Sequence, residues 1–215
     1  PAMKIARITT FYQKYVTEFY DKHLGLALKG FAEQKAALDY DAFGWADCWS
    51  HALSPFGYDV LNIYMNVESL QRAWARENDV KSYEEVELRQ ICLDQVKKFQ
   101  PDILWFDDYD TELLRTIRQE VDSIQLVLGW TGSAIGKTDI WSHMDLVLSC
   151  APERVAWFKN KGVASVHLNH GFDQRINGRL QQCPKNIDIS FVGHLLRGSD
   201  YHLNREQLLE QLTVK

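Results

Sequence analysis

No apolar run in this chain approaches the roughly 20 residues that a membrane-spanning helix requires, and its opening residues lead to the expectation of no signal peptide. Met3 is expected to be the natural start, with Pro1 and Ala2 a remnant of cloning. Cysteine is sparse. Cys48, Cys92, Cys150 and Cys183 stand far apart, with no C-x-x-C pair. That spacing suits reduced thiols in a cytoplasmic protein better than a zinc site or a disulfide framework. Basic charge is short as well: 24 Lys and Arg face 29 Asp and Glu, both signs interspersed, for a net charge of −5. The basic face expected of a nucleic-acid binder is therefore missing. Glycine is absent where a dinucleotide site would need it. Residues 4–9 (KIARIT) read as a first strand, and Thr9-Thr10-Phe11-Tyr12 follow. Rossmann dehydrogenases carry G-x-G-x-x-G at this turn so that backbone amides reach a pyrophosphate, and NAD and FAD are discounted.

What the chain does have is apolar and aromatic material. Over 215 residues, 46% are hydrophobic and 12% aromatic, enough for one well-buried α/β domain and a further fragment. Residues 13–54 read as helical and aromatic-rich, with Trp45 and Trp49 four apart on one helix face. Strands are predicted at 59–65, 103–106, 124–129, 145–149 and 163–168. Helices are predicted at 67–78, 82–99, 111–120 and 152–161. Ser82 and Glu85 have capping-box spacing at the start of the second, and Pro152 opens the last. Strands alternating with helices give an α/β fold, Rossmann-like, with a mainly parallel sheet and helices on both faces.

Three stretches carry candidate chemistry. The first is Asp107-Asp108-Tyr109-Asp110, at the tip of the apolar strand Ile103-Leu104-Trp105-Phe106. Carboxylates are costly beside a buried strand unless paired, capping or functional. Asp108 or Asp110 is a candidate N-cap of the next helix. Asp108-Tyr109-Asp110 is also a D-x-D, whose hard oxygens can share a cation with a diphosphate. The second stretch is Trp130-Thr131-Gly132 with Gly136-Lys137-Thr138 beyond. It falls one residue short of a Walker A loop, because Thr131 stands where that motif needs glycine. Asp47 and His51, four apart, form a third candidate acid–histidine pair.

Residues 145–193 hold the most distinctive pattern. A strand, a helix ended by Gly162, and another strand lead to Asn169-His170-Gly171-Phe172-Asp173, a glycine-permitted turn. A polar crossing then leads to Ile189-Ser190-Phe191-Val192-Gly193, read as a fresh strand. This arrangement resembles the junction between the two halves of glycosyltransferases of the GT-B fold, most of all the bacterial group that includes the CgeB-like proteins. The match departs at His170 and Phe172. Phe99-Gln100-Pro101-Asp102-Ile103 and the aromatic stretch from Tyr40 to Leu53 also resemble that family's N-terminal domain.

The resemblance implies an N-terminal, acceptor-side domain over residues 3–185. Residues 186–215 would then open a donor-side domain, completed by further chain of the same polypeptide. It implies transfer of a sugar from a nucleotide-sugar donor to a glycan or similar acceptor, without a bound metal or other cofactor. Asp107, Asp108 and His170, and after them His51, are the catalytic candidates for removing the acceptor proton. Thr10, Tyr12, Trp45, Trp130, Thr131, Gly132, Asn169 and Gly171 are expected to bind substrate, and Gly193 and Arg197 to meet the donor diphosphate. Two alternatives stay open. One is a non-catalytic carbohydrate- or protein-binding module of the same fold. The other is a metal-dependent GT-A enzyme using Asp108 and Asp110.

Overall fold

The computed structural model describes residues 2–132, 138–180, 183–193 and 200–213. Two compact units divide the chain, Pro1–Phe172 and Asp173–Lys215. The first holds a six-stranded, all-parallel sheet: β1 Met3–Thr9, β2 Tyr58–Tyr64, β3 Ile103–Asp107, β4 Leu126–Trp130, β5 Leu146–Ser149 and β6 Ser165–His167. Spatial order is β2-β1-β3-β4-β5-β6. Among the described residues seven α-helices belong to this unit: α1 Gln13–Lys22, α2 Phe31–Asp41, α3 Cys48–Leu53, α4 Glu68–Glu77, α5 Leu88–Phe99, α6 Thr111–Glu120 and α7 Pro152–Asn160. The α/β, Rossmann-like class expected from the alternation of strands and helices is what the chain forms. Among the described residues no helix is long and apolar enough to cross a membrane.

Alternation along the strands decides which side chains go where, because successive residues face opposite sides of a sheet. Ala6, Ile8, Ile63, Leu104, Phe106, Val127 and Val147 join one buried cluster. Cys92, Leu93 and Val96 of α5, Leu113, Leu114 and Ile117 of α6, and Phe158 of α7 complete it. Burial pushes the Cys92 thiol well up, so it packs as an apolar group. The intervening strand residues, Ile5, Arg7 and Thr9 of β1 with Trp105 and Asp107 of β3, face the other side. There α3 lies over β2, and a second cluster joins Phe11, Val16, Phe19, Leu38 and Tyr64.

Helix α6 begins as its sequence suggests: the Asp110 carboxylate accepts the Leu113 amide at 2.9 Å. Asp110→Ala is expected to cost about 1 kcal/mol of stability, read as a lower urea midpoint with an unchanged slope.

Helix α5 departs from expectation. It starts at Leu88, not at residue 82, and Ser82 has a positive φ of 51° instead of a capping geometry. The cause is tertiary. Arg72 of α4 donates to the carbonyls of Tyr83 and Val86, which holds residues 83–86 in turns outside the helix.

The stretch read as one helix bearing Trp45 and Trp49 is also broken. Ala42, Gly44 and Trp45 have φ of 60°, 58° and 70°, and a short 3₁₀ turn, Phe43–Trp45, precedes α3.

The second unit holds a 3₁₀ turn, Gln174–Arg179, and helix α8, Asp200–Thr213. Asp173 accepts the Arg175 amide at 3.0 Å and pairs with the Arg175 guanidinium. The strand expected at residues 189–193 is not formed; that segment is irregular. An extended segment becomes a strand only when a neighbour takes its backbone hydrogen bonds. None of the described residues pairs with this one.

Candidate functional site

The winding of the sheet creates the site. From β1 the chain moves outward to β2, then crosses back to β3 on the other side of β1. Connections after β1 and β3 therefore leave toward opposite faces, and a crevice opens at their carboxyl ends. Here it is a cleft of about 380 Å³, lined by Arg7, Thr9, Thr10, Tyr12, Phe43, Trp45, Asp107, Asp108, Tyr109 and Trp130 among others.

Arg7 organises the cleft wall. It is 1% exposed, on the same sheet face as Thr9 and Asp107. Its guanidinium donates to the carbonyl oxygens of Ala46 at 3.3 Å and Gly44 at 3.2 Å, and reaches Asp107 Oδ2 at 3.4 Å. It also lies 5.9 Å from the centre of the Trp45 ring, within cation–π reach. Carbonyls turned inward to a cation cannot continue a helical ladder. That is the physical reason for the left-handed break at residues 42–45. Burial works against the Arg7 charge, and Asp107 offsets part of that cost.

The adjacent carboxylates have different partners. Asp107 is tied down, accepting from Thr9 Oγ1 at 3.1 Å as well as from Arg7. Asp108 lies beyond the strand. Its Oδ1 accepts the Asp110 amide at 2.8 Å and its Oδ2 the Thr10 hydroxyl at 3.3 Å. Burial pushes the Asp108 carboxyl above the ordinary carboxylate range. The amides of Asp110 and Tyr109 and the Thr10 hydroxyl pull it partly back, and the Asp110 charge adds to the rise. A carboxylate raised by burial and set in a cleft has the character of a general base.

The floor of the β1 loop is clamped. Asn66 Oδ1 accepts the Phe11 amide at 2.9 Å, and Asn66 Nδ2 donates to the Phe11 carbonyl at 2.7 Å. This reciprocal pair joins the loop after β1 to the loop after β2. Asn66→Ala is expected to cost about 1–3 kcal/mol. Hydrogen exchange at residues 10–12 should accelerate more than exchange at the centre of β1.

Aromatic side chains form the far wall. Ring centres of Trp45 and Trp130 are 5.4 Å apart, and His170 stands 5.6 Å from Trp45 and 5.2 Å from Trp130. Tyr12 and Tyr109 are exposed at the cleft.

The structure thus brings together Thr10, Tyr12, Trp45, Asp107, Asp108, Trp130 and His170. It does not gather every expected residue. Thr131 is buried, its amide donating to Leu148 at 3.0 Å, and it does not line the cleft. Gly132 sits against Cys150 Sγ and the Trp130 ring rather than in the cleft wall. Asn169 and Gly171 are exposed. Gly171 has neither a positive φ nor a crowding neighbour, so the turn there does not require glycine. His51 is exposed on α3, away from the cleft lining. Gly193 belongs to the second unit. Arg197, with Gly136 and Lys137 of the near-Walker stretch, lies outside the described residues. The D-x-D carboxylates hold separate backbone amides, Asp110 that of Leu113 and Asp108 that of Asp110. Among the described residues no cluster of three or more His, Cys, Asp and Glu is arranged to hold a metal ion.

Sequence reasoning overlooked Arg7 and Asn66. The signal for Arg7 was present: a cation between the apolar residues Ala6 and Ile8 of the strand KIARIT, on the face shared with Thr9.

Fold and cleft together define a doubly wound α/β domain with a crevice at its switch point. Comparison of the chain with family models, with curated proteins and with solved structures finds no match.

Proposed function

We propose that this unit is the acceptor-binding part of a GT-B-type glycosyltransferase, moving a sugar from a nucleotide donor to a hydroxyl group of a glycan or similar acceptor. The observation that carries the reading is Asp108: a part-buried carboxylate of raised pKa, at the strand tips, facing a cleft walled by Trp45 and Trp130. Indole faces suit the C–H faces of a sugar ring, and a carboxylate suits its hydroxyl. In an inverting reaction Asp108 takes the acceptor O–H proton as that oxygen attacks the anomeric carbon. The bond from that carbon to the nucleoside diphosphate breaks, and the diphosphate leaves with the electron pair. Asp107, held by Arg7 and Thr9, keeps the strand tip in place. Donor binding falls to Gly193, Arg197 and the chain beyond them, and the nucleotide-sugar supply makes the cytoplasm the expected compartment.

One observation favours a second reading, a sugar-binding module without catalysis. Both Asp108 oxygens already accept hydrogen bonds from the protein. Titration of ¹⁵N-indole-labelled protein with mono- and oligosaccharides tests what both readings share. Saturable shifts confined to Trp45 and Trp130 are expected. No saturable shift with any saccharide would remove both.

A further inference from the structure

The segment between α2 and α3 has a strained backbone. Ala42 has φ 60° and ψ 25°, and Trp45 has φ 70°. The left-handed region costs free energy for any residue with a side chain, a cost that glycine escapes. For a residue as bulky as tryptophan it is an outlier. Gly44 lies between them at φ 58°, and a Cβ there would come within 3.2 Å of the Phe11 ring. Strain of this kind persists only where the surroundings impose it, and it gathers at ligand clamps and switches.

Two sets of contacts impose it here. Phe43 stacks on Tyr15, with ring centres 3.8 Å apart and planes 12° apart, and both rings pack against the second apolar cluster. Trp45 reaches the other way. The carbonyls on either side of it are held by Arg7 of β1, yet its ring meets Trp130 at the end of β4 and His170 beyond β6. In the sheet β3 lies between β1 and β4. Trp45 therefore bridges the strand tips from β1 to β4, across the end of β3, where Asp107 stands. Phe43, Gly44 and Trp45 all line the cleft.

We propose that residues 42–46 are a lid on the cleft, pinned by Phe43 and latched where Trp45 meets Trp130 and His170. Shut, the lid carries the strain of Ala42 and Trp45. Opening relieves that strain, but it breaks the bond from the Ala46 amide to the Phe43 carbonyl and the Arg7 bonds to Gly44 and Ala46. The two contributions oppose each other, which is what an element with two discrete arrangements requires. Open, the lid uncovers the strand tips around Asp107 to an entering ligand. The device is separate from the glycosyl-transfer reading and stands whether or not that reading holds.

The Ala46 amide, which donates to the Phe43 carbonyl at 3.0 Å, reports the opening. Its hydrogen exchange in the intact chain is expected to proceed by a local event that exposes little surface. The rate should then be nearly independent of low urea, whereas amides at the centre of β1 respond steeply. His170 is exposed, so His170→Ala leaves the fold alone and removes part of the latch. It should speed Ala46 exchange about three- to tenfold and leave β1 unchanged. Ala42→Gly is the sharper test. Glycine loosens an ordinary loop and speeds its exchange. Here it relieves the shut form of its strain and should slow Ala46 exchange several-fold. Unchanged or faster exchange in Ala42→Gly would overturn the proposal, and so would no change in His170→Ala. Wild-type Ala46 exchange that follows urea as steeply as β1 would overturn it without any variant.

Discussion

Asp108→Asn is expected to slow sugar transfer by about 10²- to 10⁴-fold, the usual contribution of a general base, while leaving the fold at least as stable at neutral pH. Asparagine keeps an oxygen to accept the Asp110 amide, and its NH₂ can donate to the Thr10 hydroxyl oxygen where the carboxylate accepted from it, so the strand tip retains its geometry; what it lacks is basicity. The pH dependence supplies a second signature. Burial raises the Asp108 pKa in the folded protein, whereas in the unfolded chain it returns to the ordinary value of about 4. Between those two values the folded protein holds a proton that the unfolded chain has lost, and stability therefore falls as pH rises through that window. Above it the folded state carries the full cost of a charged, part-buried carboxylate. Asp108→Asn should lack this slope and be the more stable protein at pH 7, as read from urea midpoints across pH. Transfer runs the opposite way in wild type: it needs the ionised form and declines as pH falls through the raised pKa.

Arg7→Leu should give the largest loss of stability of any cleft substitution, about 3 kcal/mol. Leucine suits the strand but leaves the Gly44 and Ala46 carbonyls without a donor and Asp107 without its cation. The figure sits at the low end for a broken buried pair because the Asp107 side chain keeps 25% exposure and some hydration. Arg7→Lys should recover little, since an ammonium group cannot span three acceptors as the planar guanidinium does. Loosening of residues 43–46 should follow, seen as faster hydrogen exchange there and a red-shifted tryptophan emission. A loss of stability below about 0.5 kcal/mol, the range of ordinary surface changes, would mean that the cleft wall is held by something other than Arg7.

Local signals in this chain were reliable where local physics decides. Apolar runs placed β3 and β5, Pro152 opened α7, and Asp110 capped α6 because the residues involved are neighbours in sequence. They were unreliable where a distant residue decides. Ser82 and Glu85 have the spacing of a helix start, yet Arg72 holds the carbonyls of residues 83 and 86 and displaces the helix to Leu88. Trp45 and Trp49 have helical spacing, but the carbonyls of Gly44 and Ala46, on either side of Trp45, turn to Arg7 of β1, and the helix breaks. The two tryptophans still meet, with ring centres 6.4 Å apart, through a turn that periodicity does not reveal. The pair Asp107 and Asp108 was legible as a candidate because carboxylates at a strand tip are costly. Their different partners were not, since these depend on Arg7 and Thr9 of β1, which hold Asp107, and on Thr10 just after it, which meets Asp108.

The most direct test of the catalytic claim is sugar transfer by the full-length natural product across a panel of nucleotide sugars, with and without EDTA, in wild type and in Asp108→Asn. Transfer is expected to be unaffected by EDTA and nearly abolished by Asp108→Asn, while saccharide binding at Trp45 and Trp130 persists. Transfer lost to EDTA would instead implicate a cation held at Asp108 and Asp110. No transfer with any donor, or undiminished transfer by Asp108→Asn, would contradict the role assigned to Asp108.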